Sequence, residues 1–132
     1  MIKFYVKPFK KPGTETILYM AAKQPGSVVT LKSICERVEK RSTMSSADIR
    51  GVIDAVTYEI KQELLNGNNV NMGETFGSFH LTMRSNSCST KEEVTAESIR
   101  ALKVQFVPNA EWRFDFKPGS PRVNFEQTER ND

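Results

Sequence analysis

The sequence predicts an α+β fold: two helices, a three-stranded antiparallel sheet and a short C-terminal helix, with a β-hairpin added at the N-terminus. Three patterns predict it. Ile49, Val52, Ile53, Val56, Ile60 and Leu64 recur at helical spacing for about four turns, giving one apolar stripe. Phe79, Leu81 and Met83, and later Leu102, Val104 and Phe106, alternate with mostly polar neighbours, the period of a half-buried strand. The same alternation opens the chain, with Ile2, Phe4 and Val6 set against Lys3, Tyr5 and Lys7.

The elements follow in order. Residues 2–9 form the first strand, which Pro8 restricts to an edge or an end. Lys11-Pro12-Gly13-Thr14 is a turn, and residues 16–23 return as the second strand. Thr30 caps a short helix whose stripe is Leu31, Ile34, Cys35 and Val38. Ser45 or Ser46 caps the long helix, Asp48 favours its N-terminus, and Gly67 stops it. Val70 and Met72 lie in a strand, Gly73 to Phe76 reverse the chain, and Phe79 to Met83 form the next strand. Residues 85–98 are polar, with a helical turn around Thr95–Ile99, before a third strand at 102–107. Pro108-Asn109 opens a last helix carrying Trp112 and Phe116, and residues 118–132 are expected to be loosely ordered. This divides the chain into a basic hairpin extension (1–26), a central domain (27–117) and a flexible tail (118–132).

Composition narrows the function. The longest apolar run, Ile17 to Ala22, is six residues and far too short to span a bilayer. The N-terminus lacks the pattern of a secretory leader, so export is not expected. Two unclustered cysteines, Cys35 and Cys88, make no disulfide framework, and with a single histidine they make no zinc site. His80 has no serine or cysteine partner, Glu92-Glu93 are adjacent loop carboxylates, and Gly73 and Gly77 lack the lysine of a phosphate loop. Neither an enzyme nor a cofactor is expected. Phe76, Phe79, Phe106 and Trp112 could stack on bases, but their alternation assigns them to the core.

Charge is uneven. Residues 1–26 hold five Lys against one Glu, whereas residues 27–108 are neutral. Such an excess suits an anionic partner, and it equally suits an edge hairpin that must not pair with others. The stripe from Ile49 to Leu64 is too long and apolar for a lone two-layer monomer. A core shared with a second copy explains it, as does packing under the N-terminal hairpin.

The order of elements resembles the HU / integration-host-factor family of bacterial histone-like DNA-binding proteins, over residues 30–84 and about 102–117. Ile34, Cys35 and Val38 fill its first-helix core places, and Val52-Ile53-Asp54-Ala55-Val56 is similar to the middle of its second helix. Asn66-Gly67 ends that helix where the family places its glycine. Gly73-Glu74-Thr75-Phe76-Gly77-Ser78-Phe79 keeps half of the family's turn, and Phe106-Val107-Pro108 resembles the end of its arm. The N-terminal strands resemble a divergent, Bacteroidetes-type HU-like subgroup.

The resemblance implies an intertwined homodimer with a core of Ile49, Val52, Ile53, Val56, Ile60, Leu64, Phe76 and Phe79. It implies a sheet saddle on double-stranded DNA, touching the phosphate backbone and minor groove, in the nucleoid of the cytoplasm. It implies neither a membrane nor a small-molecule substrate. The family's basic arm is not carried over. The stretch SNSCSTKEEVTAESIRALK has no proline wedge, and its Lys91, Arg100 and Lys103 are cancelled by Glu92, Glu93 and Glu97. Arg84 matches a basic position at the arm base. Lys3, Lys7, Lys10 and Lys11 could replace the lost arm charge; eight such contacts in a dimer would give a salt slope of about −7. The expected function is therefore largely sequence-independent DNA binding and nucleoid organisation. The alternative is a dimeric scaffold that kept the fold and lost DNA.

Overall fold

The computed structural model describes residues 1–130. The elements are β1 (Ile2–Lys10), β2 (Ile17–Lys23), α1 (Leu31–Glu39), α2 (Ser46–Leu65), β3 (Val70–Asn71), β4 (Gly77–Ser85), β5 (Ile99–Pro108), α3 (Ala110–Asp115) and β6 (Phe125–Gln127). They form two units. One holds Met1–Val29 with the chain from Phe114 on, and the other Thr30–Arg113.

In the second unit the helix ends are set by local polar groups. The Ser33 N–H donates to Thr30 Oγ1 at 3.3 Å and starts α1. A reciprocal capping box starts α2. The Asp48 N–H donates to Ser45 Oγ at 3.1 Å, and the Ser45 N–H donates to Asp48 Oδ2 at 3.4 Å. The helix stops where Gly67 takes φ +86°, which lets its N–H reach the Leu64 carbonyl at 3.0 Å. Strands β3, β4 and β5 pair antiparallel in that order. Phe79 stands opposite Phe106, Leu81 opposite Val104 and Met83 opposite Leu102, so the alternating apolar residues share one face.

Cys35, Ile49 and Leu64 are the buried hydrophobic side chains among the described residues. Beside them Phe76, Phe79, Phe106 and Trp112 form one aromatic cluster, with centroids 5.3 to 6.2 Å apart. The Trp112 Nε1–H donates to the Thr75 carbonyl at 3.0 Å and so ties α3 to the β3–β4 turn. The four rings pack against one another, but of these expected core residues only Phe79 and Phe106 are half-buried, and Phe76 and Trp112 remain exposed at 42% and 37%.

The first unit is a sheet of order β2-β1-β6, antiparallel between β2 and β1 and parallel between β1 and β6. This corrects the expectation of a loosely ordered tail for 118–132. The Ile2 N–H donates to the Asn124 carbonyl, and the Thr128 N–H to the Phe4 carbonyl, both at 2.8 Å. Phe125 meets Phe4 edge-on with centroids 6.4 Å apart. Residues 131–132 of that segment lie outside the described residues. The strand is only three residues long and its partner is more than a hundred residues away, so no local pattern announces it. Pro8 sits in a strand with neighbours on both sides, yet it breaks no ladder. Even-numbered β1 residues turn their backbone toward β6, and β6 covers only Ile2 to Phe4.

Further details differ from the expectation, among them β3, which ends at Asn71 and leaves Met72 outside the strand. Strand β5 begins at Ile99, three residues early, because the 3₁₀ turn at Ala96–Ser98 ties directly into it. A second 3₁₀ turn covers Lys91–Glu93. Helix α3 ends at Asp115, before Phe116.

Gly77 takes φ +150°, and a Cβ there would collide with the Val107 carbonyl oxygen and meet the Phe106 ring. Gly67 also has positive φ but faces open space. Gly67→Ala is therefore expected to cost about 1 kcal/mol and Gly77→Ala at least about 3, as read by urea unfolding.

Candidate nucleic-acid interface

The β4–β5 register sorts the second sheet into two unlike faces. One carries Phe79, Leu81, Leu102 and Val104, which line an apolar groove of about 430 Å³ with Ile60, Leu64 and Leu65 of α2. The other carries Ser78, His80, Thr82 and Arg84 of β4, directly opposite Val107, Gln105, Lys103 and Ala101 of β5. No Asp or Glu occupies any of these eight positions. Arg84 and Lys103 are exposed, and Lys103 stands beside Thr82, whose hydroxyl donates to the Lys103 carbonyl at 3.4 Å. His80 is half-buried on this face.

At one end the polar face runs into a groove of about 310 Å³ lined by Asn71, Glu74, Ser78, Val107, Asn109 and Arg113, so one carboxylate and one cation meet there. Arg113 is a cation that the sequence reading missed. The helix around it was expected, but which side of so short a helix meets the sheet depends on tertiary packing. At the other end the ladder slips. Arg84 pairs with Ala101 and Ser85 with Ile99, leaving Arg100 as the extra residue of a β-bulge.

Beyond the bulge the connection is held by polar bonds. The Asn86 N–H donates to the Ser98 carbonyl at 2.8 Å, and the Ser85 hydroxyl donates to the same carbonyl at 3.3 Å. Lys91 lies in the turn with Glu92 and Glu93.

The N-terminal lysines fall in the other unit and do not form one cluster. Lys3 and Lys7 share a face of β1, as expected, with Lys3 in register with Glu126. Lys10, one residue beyond the expected strand, is the last residue of β1. It lies on the opposite face and makes an exposed ion pair with Glu15 at 2.9 Å. Lys11 follows it into the turn. The eight basic candidates are thus divided four and four between the two units.

The residues expected to form a shared core are also divided. Within one chain Ile49 and Leu64 are buried, and Ile53, Ile60 and Phe79 are half-buried. Val52, Val56 and Phe76 remain exposed, at 51%, 39% and 42%. Among the described residues no three His, Cys, Asp or Glu side chains come together as a metal site would require. No helix among them is long and apolar enough to cross a membrane.

The family model described as an HU domain fused to wHTH, Ig, or glycine-rich motif matches residues 1–121. The chain belongs to this HU-HIG family. The match begins at the first residue, so the family's domain takes in the β1–β2 hairpin as well as the helices and the second sheet. Against individual curated proteins the chain finds no match. Membership makes the two-faced β3-β4-β5 sheet an HU-like sheet, with its apolar side toward the helix and its acid-free side outward.

Proposed function

We propose that this protein binds double-stranded DNA without catalysis and with little sequence preference, as an HU-like homodimer that helps organise the nucleoid. The polar face of β3-β4-β5 is the contact surface. The observation that carries this reading is the sorting of that face: exposed Arg84 and Lys103, hydrogen-bonding Ser78, Thr82 and Gln105, and no carboxylate. Such a surface meets a phosphate backbone without like-charge repulsion, and flexible cations there displace counterions with little regard to base sequence. Arg113 adds a third cation at its end. Lys3, Lys7, Lys10 and Lys11 are secondary contacts in this reading, and Arg100 and Lys91 lie at the distal ribbon.

The homodimer is supported by the unfinished core. Leu65, Leu102 and Val104 line the apolar groove while exposed at 69%, 57% and 61%. On another face of α2, Ala55, Val56, Ile60, Val70 and Met72 line a second hollow of about 340 Å³. A second copy covers these surfaces by symmetry, since each chain supplies the same apolar patch.

One observation favours the scaffold reading. Met83 and Val94 of the distal ribbon and its connection are exposed at 59% and 55%, where a DNA-binding arm would present cations.

The deciding experiment is fluorescence anisotropy on a random duplex at several salt concentrations. Three cations per chain in a dimer give a log–log salt slope of about −5. Arg84→Glu with Lys103→Glu should abolish binding at low salt while leaving the fold intact. Lys10→Glu should weaken it less, because Lys10 is a secondary contact in the other unit. No binding of the unaltered protein at low salt would establish the scaffold reading instead.

The dimer makes a separate prediction. Val56→Asp places a charge on an exposed single-chain surface, so a monomer would lose less than about 0.5 kcal/mol. In the proposed dimer the same charge is buried. Its mass by light scattering should then halve at micromolar concentration, with thermal stability falling in parallel.

A further inference from the structure

The first unit ends in an edge strand with no visible guard. Strand β2 is terminal in the β2-β1-β6 order. The hairpin fixes which of its backbone groups point outward. The Lys11 N–H donates to the Thr16 carbonyl at 3.0 Å, and the Gln24 N–H to the Lys3 carbonyl at 2.8 Å. Even-numbered residues from Thr16 to Gln24 therefore turn their N–H and C=O toward β1, and Ile17, Tyr19, Ala21 and Lys23 turn theirs away from it.

Edge strands are ordinarily blunted by proline, a charge or a bulge. From Ile17 to Ala22 there is no proline and no charge, and the register with β1 runs without a shift. Ile17 and Tyr19 are exposed at 57% and 70%. The other side of the sheet is treated differently, by a three-residue β6 and by Pro8 beyond its end.

We propose that β2 pairs antiparallel with β2 of a second copy, across a two-fold axis at Tyr19. Matching of faces limits the choices. Residues that pair must both be odd or both be even, so the axis falls on a residue and not between two. Five positions keep three or more residues of each β2 paired: Leu18, Tyr19, Met20, Ala21 and Ala22. An axis at Leu18 sets Lys23 against Gly13 of the second copy, an axis at Met20 sets it against Ile17, an axis at Ala21 sets it against Tyr19, and an axis at Ala22 sets it against Ala21. An axis at Tyr19 brings Lys23 to Glu15, in the turn two residues before β2 begins, and symmetry makes that ion pair twice.

The same register sets Ile17 against Ala21 and Leu18 against Met20, apolar against apolar. It turns the Tyr19–Tyr19 and Ile17–Ala21 pairs into exchanged backbone pairs, for about six N–H···O=C bonds. Glu15 is available for this. Its contact with Lys10 joins two side chains exposed at 91% and 64%, which hold each other weakly.

This surface lies in the first unit, whereas the apolar groove of α2 lies in the second. The proposal stands without the DNA reading or the helical dimer. A chain that uses both two-fold contacts would build strings or closed rings of dimers.

The test is sedimentation velocity on the full chain across a concentration series, for the unaltered protein and for Tyr19→Pro. The N–H lost at 19 points away from β1, so the hairpin is retained, and far-ultraviolet circular dichroism checks this. The unaltered protein should show an association step, monomer to dimer or dimer to tetramer. Tyr19→Pro should weaken that step at least about tenfold. Lys23→Glu should weaken it about fivefold, and Glu15→Lys with Lys23→Glu should restore it. If Tyr19→Pro does not fold, the charge pair decides alone. Equal association in the unaltered protein and in Tyr19→Pro overturns the proposal. So does failure of the reversed pair to restore what Lys23→Glu removes. Loss of the helical dimer in Val56→Asp with this step retained would separate the two interfaces.

Discussion

Phe79 stands opposite Phe106 in the β4–β5 ladder, and a slip of one residue there would turn every side chain of a strand to the wrong face. That register does two things at once. It gathers Phe76, Phe79, Phe106 and Trp112 into one cluster, which holds α3 against the β3–β4 turn. It also sends Arg84, Lys103 and Gln105 together to the opposite face. Gly77 is the geometric condition for the register, since its strand crosses the Val107 carbonyl where no Cβ fits. The candidate binding surface is thus a by-product of core packing, and its cations cannot be moved to the other face without opening the core.

The helices show the opposite economy. Their ends are well specified, by a capping box at Ser45 and by Gly67, while their faces are not fully used. Helix α2 is twenty residues long and buries two side chains, Ile49 and Leu64, below a tenth of their surface. Long helices in small domains draw most of their stability from packing an apolar face, so the uncovered half of this stripe is a demand for more surface. The proposed homodimer meets the demand with the residues already present. The hairpin alternative raised by the sequence is not needed to account for Val52 and Val56.

Much of this was legible in the sequence, for reasons that also explain what was not. Caps, breakers and periodicity are local, so Thr30, Ser45, Gly67 and the β4 and β5 alternations could be read without a partner. Strand β6 could not, because Phe125–Gln127 has no pattern of its own and exists by virtue of Ile2 to Phe4 at the far end of the chain. Arg100 was read as one more cation in a neutral stretch, and the bulge that singles it out is a property of two strands together. Arg113 was invisible for the same reason. Lys10 was legible as a charge but not as a paired one, since Glu15 returns to it only when the hairpin closes.

Charge shows most clearly why the site had to be seen in three dimensions. By count, positive charge is concentrated in residues 1–26, and the helix-and-sheet unit looks neutral. Neutrality there conceals a sorting. Its carboxylates lie on the helices, at Glu74 in the turn, and at Glu92, Glu93 and Glu97 beyond the bulge, leaving the cations Arg84 and Lys103 and no acid among the eight paired positions of the polar sheet face. A polyanion at that face feels the charges within about a Debye length, roughly 8 Å in physiological salt, and not the sum over the unit. Two neutral proteins of equal composition would differ entirely in this respect if one interspersed its signs and the other segregated them. The strand period of two does the segregating here. Polar positions 80, 82 and 84, set opposite 105, 103 and 101, must share a face, and the chain places no acid at any of them.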